Sequence, residues 1–389
     1  MPVVPQMRSG FALRVACLYA ALFGVVGIQL PFFPVWLKAK GLDADEIGLV
    51  LAVPLLARML AIPLATRTAD RRDALRAAIA VACGLSVVGY LLLGLSSGAT
   101  AILLAYAFAS LAAAPIMPIA ETYTLRGLSA RGRAYGPVRL WGSAAFVAGT
   151  FLAGFATGVI PARHLIWLIF AGMVLATLST LMLAPLETNA APASTPAPPT
   201  KSLLRDPSFI AVIAAASLIQ ASHAVYYSFS ALAWRSDGMS GGAIAALWAL
   251  GVIAEIVLFA LSGRLPPFVT PTMLLLIGAF GGALRWAAMA FDPPAVALPF
   301  LQLLHAASFG ATHLGALTYL ARNAPAGQGA TAQGYLAVAL AAAMAAATAL
   351  SGVLYQAVGA LSYAAMASIA VAGGACALIA HRTRRVAAA

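Results

Sequence analysis

Long apolar stretches separated by short polar segments dominate the chain. An α-helix needs about 20 mostly apolar residues to cross the hydrocarbon core of a bilayer. Twelve stretches of that kind lie near 12–37, 45–66, 75–96, 99–122, 136–158, 164–185, 208–233, 242–262, 271–291, 295–320, 331–353 and 360–380. The pattern predicts a polytopic membrane protein with twelve transmembrane helices.

One polar segment is longer than the others. Residues 186–207 contain the run TNAAPASTPAPPTKS, whose content of Pro, Ala, Ser and Thr is typical of a flexible linker. It separates the first six apolar stretches from the last six. We therefore predict an N-terminal six-helix bundle over 1–185, a cytoplasmic linker over 186–207 and a C-terminal six-helix bundle over 208–389.

Lysine and arginine are unevenly distributed among the predicted loops. Cytoplasmic loops of membrane proteins carry an excess of both residues. With the N-terminus in the cytoplasm, that side holds Arg8, Arg67, Arg71, Arg72, Arg76, Arg126, Arg131, Arg133, Lys201, Arg205, Arg264, Arg322, Arg382, Arg384 and Arg385. The opposite side keeps Lys38, Lys40, Arg163 and Arg235. Both termini are therefore predicted to be cytoplasmic.

The composition supports a lipid environment. Of 389 residues, 62% are hydrophobic and 9% are charged, against about 25% charged in ordinary soluble domains. The net charge of +12 forms no basic stripe of the kind that binds nucleic acid, and it suits the anionic lipids of a cytoplasmic leaflet. The cysteines Cys17, Cys83 and Cys376 are too far apart for a metal motif.

Few polar side chains remain inside the apolar stretches. A charge in the middle of a membrane costs about 3 kcal/mol on insertion scales, so such residues face the protein interior or a transport path. The set is Arg58, Glu121, Arg139, Glu255, Arg285, His223, His305, His313, Gln29, Gln220 and Gln302. For the charged members, a buried ion pair that locks two helices together is the structural alternative.

Glu121 and Glu255 are suited to proton coupling. Burial favours the neutral form of a carboxyl group, and a nearby arginine favours the charged form. A carboxyl group whose arginine or substrate neighbour comes and goes can therefore load and release a proton. Glu255 follows Trp248 by seven residues, which puts both on nearly the same face of a helix.

Two predicted helices carry stripes of histidine and aromatic residues. The stripes are His223, Tyr226 and Tyr227 on the seventh helix and His305, Phe309 and His313 on the tenth. A single membrane histidine often serves only as a hydrogen-bond partner for a neighbouring helix. Three histidines together with two glutamates and three arginines indicate a polar cavity.

The sequence lacks the motifs that mark other classes of membrane protein. An ATP-driven pump needs a phosphate-binding loop, and a metalloprotease shows the sequence H-E-x-x-H; neither motif is present. A channel does not need a six-plus-six division with a long central linker. The chain is therefore predicted to be a secondary transporter, with no enzymatic activity, cofactor or metal.

Several runs resemble one branch of the major facilitator superfamily. The run YGPVRLWGSAAFVAG at 135–149 is similar to the start of the fifth helix in lactose permease and its relatives. The runs that resemble the 3-phenylpropionate permease group more closely are LIQASHAVYYSFSALAW at 218–234, LWALGVIAEIVLFALS at 247–262, LRWAAM at 284–289 and QLLHAASFGATHL at 302–314. With LPFFPVWLKAKGL at 30–42, the resemblance covers nearly the whole chain.

The resemblance implies a fold and a set of site residues. The fold is all-α, with two pseudo-symmetric six-helix halves and a central cavity lined by helices 1, 4, 7 and 10. Glu121 and Arg139 match the pair that holds the sugar in lactose permease, and its Glu, Arg and His of helices 8, 9 and 10 are matched by Glu255, Arg285 and His305. The residues then expected near the substrate on the lining helices are Gln29, Glu121, His223, Tyr226, His305 and His313.

Two positions depart from lactose permease. A glutamate that takes part in proton transfer there is replaced by Ser308, so the proton carrier must differ. The tryptophan that stacks on the sugar has no counterpart, and Phe146 stands nearby. An aromatic or simpler acid therefore fits better than a sugar.

The function we expect is proton-coupled import of a small organic acid, such as a 3-phenylpropionate-like aromatic carboxylate. The partners would be the solute, protons and the bilayer, and the transporter would act as a monomer. Arg139 is the first choice for the carboxylate partner, because arginine can bind a carboxylate through two N–H groups; Arg58 and Arg285 are second choices. Two alternatives stay open: a proton-linked sugar or oligosaccharide symporter, and a proton-antiport efflux transporter.

Glu255 is the expected proton carrier, and Glu121, His305 and Arg285 are expected to take part in coupling. Arg139 would keep Glu121 ionised. Glu255 lies in an apolar helix, where burial favours the protonated form of its carboxyl group. The alternative for Glu255 is a structural ion pair with Arg285.

Overall fold

The protein is helical throughout the part that the structure describes. The computed structural model describes residues 10–72, 74–133, 135–186, 200–266, 268–325 and 328–388, and these contain no β-strand. We number the long helices α1 to α12 in chain order. They are α1 (Gly10–Ala39), α2 (Ala44–Arg71), α3 (Leu75–Leu95), α4 (Ala99–Ala113 and Ile116–Ser129), α5 (Gly136–Val159), α6 (Ile166–Leu181), α7 (Pro207–Ala221 and Ala224–Ser236), α8 (Gly241–Leu261), α9 (Pro271–Ala290), α10 (Leu298–Leu303, Ala306–Ala311 and Thr312–Asn323), α11 (Gly329–Val358) and α12 (Ser362–Ala388).

These helices are long and apolar enough for a membrane protein. By length and composition, 11 stretches of the described chain can cross a bilayer. The last stretch, Thr331–Thr383, has 53 residues and contains two helices, α11 and α12, separated by a 3-10 turn at Gly359–Leu361. The described chain is therefore consistent with the predicted twelve membrane-crossing helices.

Two of the helices change course at polar positions. In α7 the two pieces meet at Ser222 and His223. In α10 a π-helical segment, Ala306–Ala311, follows His305. A π-helical turn holds one more residue than an α-helical turn, so it shifts the faces on which the flanking side chains lie.

The chain divides into two compact units. The N-terminal unit comprises Met1–Leu42, Ala57–Ala190 and Trp234–Ala245, and the C-terminal unit comprises Asp43–Leu56, Ala191–Ala233 and Ala246–Ala389. The first part of α2 thus groups with the C-terminal unit, and the first part of α8 with the N-terminal unit. The division at 186–207 stays a prediction, and residues 187–199 of that linker lie outside the described chain, as does Arg8.

Small residues bring helices close together within each unit. In the N-terminal unit, a Cβ added to Gly27 of α1 would lie 2.8 Å from the Phe146 carbonyl carbon of α5, and Thr150 donates a 2.9 Å hydrogen bond to the Gly27 carbonyl. In the C-terminal unit, a Cβ added to Gly281 of α9 would lie 2.7 Å from the Ala307 Cβ of α10. Such contacts are how small residues let membrane helices approach. The second one sets α9 against the π-helical segment of α10.

Candidate functional site

Arg285 lies at the centre of a polar cluster in the C-terminal unit. It is one helical turn beyond Gly281 on α9, and its side chain is 0% exposed. Its Nη1 atom donates to Nδ1 of His305 at 3.1 Å, and its Nη2 atom donates to Oε1 of Gln302 at 2.6 Å. Both acceptors are uncharged groups, so the cluster holds a buried cation.

Aromatic faces cover the guanidinium group of Arg285. Its central carbon lies 4.4 Å from the ring centroid of Tyr226 and 4.6 Å from that of Trp286. Trp248 of α8 stacks on Tyr226 with a centroid distance of 4.6 Å, and Tyr363 of α12 stacks on Trp286 at 5.8 Å. The cation is therefore enclosed by aromatic side chains that are themselves buried.

Gln302 is held in one orientation by two donors. Tyr226 donates its hydroxyl to Gln302 Oε1 at 2.9 Å, and Arg285 donates to the same oxygen. The Gln302 Nε2 group and the Arg285 Nε group, both buried, have no hydrogen-bond partner among the residues that the structure describes. Each of these groups is a donor, so the cluster has two donors left for a further hydrogen-bond acceptor.

His305 connects Arg285 to Glu255. A guanidinium group can only donate, so Nδ1 of His305 must accept from Arg285. The other ring nitrogen, Nε2, is 3.7 Å from Oε2 of Glu255, whose side chain is 19% exposed. Two glycines permit this approach of α8 and α10: a Cβ on Gly251 would lie 3.3 Å from the His305 Cβ, and one on Gly310 would lie 3.4 Å from the Glu255 Cγ.

His223 closes the cluster from α7. Its Nδ1 faces the carbonyl oxygens of Ile219 at 3.2 Å and Gln220 at 3.1 Å, so it must donate. Its Nε2 forms a 3.1 Å hydrogen bond with the hydroxyl of Ser308. The residue that replaces the glutamate of lactose permease is thus a hydrogen-bond partner of a buried histidine.

The stripe on α10 continues towards His313. The ring of His305 stacks on Phe309 with a centroid distance of 5.1 Å, and Phe309 stacks on His313 at 6.1 Å. His313 also contacts the Phe259 ring at 6.2 Å. The stripe predicted from the spacing of these residues is therefore a continuous stack of rings.

A second polar group lies in the N-terminal unit. Gln29 of α1 donates to the Tyr106 hydroxyl at 2.9 Å and accepts from the Tyr90 hydroxyl at 2.8 Å. Phe33 packs against Tyr106 with a centroid distance of 4.5 Å. The predicted site residue Gln29 is thus fixed by two tyrosines.

The charged residues of the N-terminal unit are less enclosed. Arg139 is half-buried, and its guanidinium carbon lies 4.0 Å from the ring centroid of Phe23. Glu121 and Arg58 are exposed. Among the described residues, no ion pair within 4 Å joins Glu121 to Arg139, and the effect of Arg139 on the charge of Glu121 stays a prediction.

The structure brings five of the predicted site residues into one cluster, namely His223, Tyr226, Glu255, Arg285 and His305. Gln302 had no assigned role, although its position three residues before His305 puts both on one helix face. At Ser308 the sequence shows only that the glutamate of lactose permease is missing. No sequence signal marks Tyr90 and Tyr106 as partners of Gln29, because tyrosine is common in apolar helices without a polar contact.

Comparison with known proteins places the chain among transporters. Residues 12–365 match the model of a family described as the MFS_1 like family. A probable 3-phenylpropionic acid transporter of Escherichia coli (strain K12) is 33% identical over 361 residues, which cover 91% of this chain and 93% of that protein. A maltose permease of Geobacillus stearothermophilus is 28% identical over 316 residues, which cover 79% of this chain and 78% of that protein.

Solved structures agree on the fold. The nucleoside transporter NupG superposes with a TM-score of 0.80 at 14% identity, covering 95% of this chain and 99% of NupG. A bacterial homologue of the human lysosomal transporter Spinster, in an inward-facing and occupied conformation, gives 0.75 at 18% identity, covering 98% of both chains. These matches confirm the predicted all-α major facilitator fold.

Proposed function

The chain belongs to the MFS_1-like family, and from this premise we propose that it is a proton-coupled symporter importing a small aromatic carboxylate similar to 3-phenylpropionate. Family membership makes it a secondary transporter of the major facilitator type and not an enzyme. Its helices make it a multi-pass membrane protein. The solute and the coupling ion are the proposed part.

The buried, aromatic-covered Arg285 is the observation that supports this proposal best. A carboxylate forms strong, charge-assisted hydrogen bonds with a guanidinium group. The rings of Tyr226 and Trp286 lie beside that charge, and in this proposal an aromatic solute would pack against them. The 33% identical relative is named as a probable transporter of an acid with this combination of groups.

Proton coupling is proposed from the chain of titratable groups beside Arg285. His305 and Glu255 lie in succession next to the cation, at 3.1 Å and 3.7 Å between neighbouring polar atoms. The remaining proposed substrate contacts are Arg139, Arg58, Glu121, Gln29, His223, Tyr226 and His313. We further propose a functional monomer in a bacterial inner membrane, with both termini cytoplasmic.

A proton-linked sugar symporter is the second candidate. The observation that favours it is the 28% identity to a maltose permease over 79% of this chain. Glu121 and Arg139 would then hydrogen-bond to sugar hydroxyls.

Uptake into proteoliposomes with an imposed pH gradient separates the two candidates. We expect radiolabelled 3-phenylpropionate to accumulate against its gradient when the outside is acidic, and a proton uncoupler to abolish this accumulation. Vesicles without a pH gradient and vesicles without protein are the controls. Faster accumulation of maltose than of 3-phenylpropionate would make the sugar symporter the correct assignment.

A further inference from the structure

His305 is held between a cation and an anion. Its Nδ1 lone pair is engaged by Arg285 Nη1 at 3.1 Å, which leaves the ring hydrogen on Nε2, facing the Glu255 carboxylate at 3.7 Å. While this arrangement lasts, His305 cannot take up a second proton. Protonation of Nδ1 requires that Arg285 find another acceptor.

Arg285 and Gln302 have donor groups left over. Both side chains are 0% exposed, and neither Arg285 Nε nor Gln302 Nε2 has a partner among the described residues. Unpaired buried donors are costly. A carboxylate has two oxygens that only accept hydrogen bonds, so it is the kind of group that these donors and Nη1 bind.

We propose that the substrate carboxylate replaces His305 Nδ1 as the acceptor of Arg285, and that His305 then takes up the proton that is transported with it. The proposal rests on the proposed function, because it assigns the two partners of that symport to named atoms. The hydrogen bond from Nη1 to Nδ1 breaks, and a carboxylate oxygen accepts from Nη1 instead. A proton from the aqueous side binds the freed Nδ1 lone pair, and the imidazolium ring keeps its contact with Glu255.

The charges of the cluster explain why the two species would move together. Arg285 carries a positive charge, and His305 is neutral while Nδ1 accepts from it. Adding one carboxylate and one proton together leaves the net charge of the cluster unchanged, whereas either species alone changes it by one buried charge, which is strongly unfavourable. Access to the site can therefore change when it is empty or doubly loaded.

The other titratable groups that face His305 leave this balance unchanged. His223 lies edge-on at 5.6 Å between ring centroids, and its Nε2 contacts the Ser308 hydroxyl at 3.1 Å and not His305. Tyr226 donates its hydroxyl to Gln302. From the sequence alone, Glu255 is the expected proton carrier. In the proposed arrangement, Glu255 stays ionised and stabilises the protonated His305.

Calorimetric titration of the purified full-length protein with 3-phenylpropionate tests the proposal. Repeating the titration in buffers of different ionisation enthalpy counts the protons taken up on binding. We expect one proton per carboxylate in the wild type, with the Kd falling by up to about tenfold for each unit by which the pH is lowered. His305→Asn offers Arg285 an acceptor but cannot be protonated, so it should bind more weakly, independently of pH and without proton uptake.

The matched control is His164→Asn. His164 is exposed and also lies beside an arginine, with 3.3 Å between Arg163 Nε and its Nε2. This variant should behave like the wild type. In proteoliposomes, His305→Asn should still exchange labelled for unlabelled 3-phenylpropionate but should lose accumulation driven by a pH gradient.

The outcomes separate this inference from the proposed function. If His305→Asn still takes up one proton and Glu255→Gln takes up none, the proton binds Glu255 and the inference is wrong, while the symport stands. If the wild type binds 3-phenylpropionate without proton uptake, or does not bind it, the proposed function fails and the inference with it. Should His305→Asn not fold, infrared difference spectra of wild-type protein with ¹⁵N-labelled histidine rings decide: imidazolium bands on binding support the inference, and a new carboxylic acid band overturns it.

Discussion

Arg285 and Arg139 differ in how far each is removed from water. Burying a guanidinium group costs several kcal/mol. Two hydrogen bonds to a charged group contribute about 1.5–3 kcal/mol each, and each desolvated aromatic face contributes about 2 kcal/mol, so the four contacts of Arg285 offset its burial. Arg139 is half-buried over one ring, where water screens its charge. A carboxylate therefore gains more from Arg285.

We predict that Arg285→Lys weakens binding of 3-phenylpropionate by at least about tenfold, because lysine cannot present two fixed donors to a carboxylate. Arg139→Lys should weaken it by less than about threefold, as for an exposed ion pair. Both substitutions keep the charge, and Arg163→Lys at an exposed position is the control. Binding is measured by calorimetry on protein whose melting temperature matches the wild type. A larger loss of affinity for Arg139→Lys than for Arg285→Lys would make Arg139 the carboxylate partner, as the sequence predicts.

At the scale of elements, the cluster depends on how closely α8 and α9 approach α10. Gly251 and Gly310 lie in the contact between α8 and α10, and Gly281 lies against Ala307 of the π-helical segment. Arg285 is one turn beyond Gly281. We therefore expect the distance between α9 and α10 at Gly281 to affect the lengths of the hydrogen bonds from Arg285 to α10. Glycine is unfavourable inside a helix, so the close helix contacts that these glycines allow are the reason for their positions.

We predict that Gly281→Ala destabilises the protein by about 1–3 kcal/mol, as overpacking typically does. The added Cβ would lie 2.7 Å from the Ala307 Cβ, which is not a flexible side chain, so α9 must move away from α10 and binding of 3-phenylpropionate should weaken. Gly334→Ala on α11 is the control, because nothing lies within 4 Å of its Cβ; it should leave the melting temperature unchanged or raise it. Equal melting temperatures and Kd values for the two variants would show that this contact does not position Arg285.

At the scale of the whole molecule, the proposed symport carries no net charge. One carboxylate and one proton leave the net charge of the site unchanged, so the membrane potential does no work on the transported pair. The pH gradient alone would then drive accumulation. This separates the proposed stoichiometry from a symport of one carboxylate with two or more protons.

We predict that a pH gradient drives 3-phenylpropionate into proteoliposomes and that a potassium diffusion potential, negative inside and imposed at equal pH, does not. Clamping the potential with potassium and valinomycin on both sides should leave the pH-driven rate within about twofold, since no charge moves through the field. Uptake driven by the potential alone would contradict one-to-one coupling and with it the charge balance of the cluster.

The sequence by itself determined the elements and the class of protein. The bilayer imposes a minimum length on each apolar stretch, so the number of spans and the major facilitator fold could be predicted from hydrophobicity and resemblance. The sequence also marked Arg285, His305 and Glu255, since charged residues are rare in membrane helices. Only the tertiary structure decided their partners: His305 lies between Arg285 and Glu255, Gln302 accepts from two donors, and Glu121 forms no direct ion pair with Arg139 among the described residues. Partners depend on helix rotation, on the spacing at glycines and on the extra residue of a π-helical turn, and a hydrophobic pattern does not encode these features.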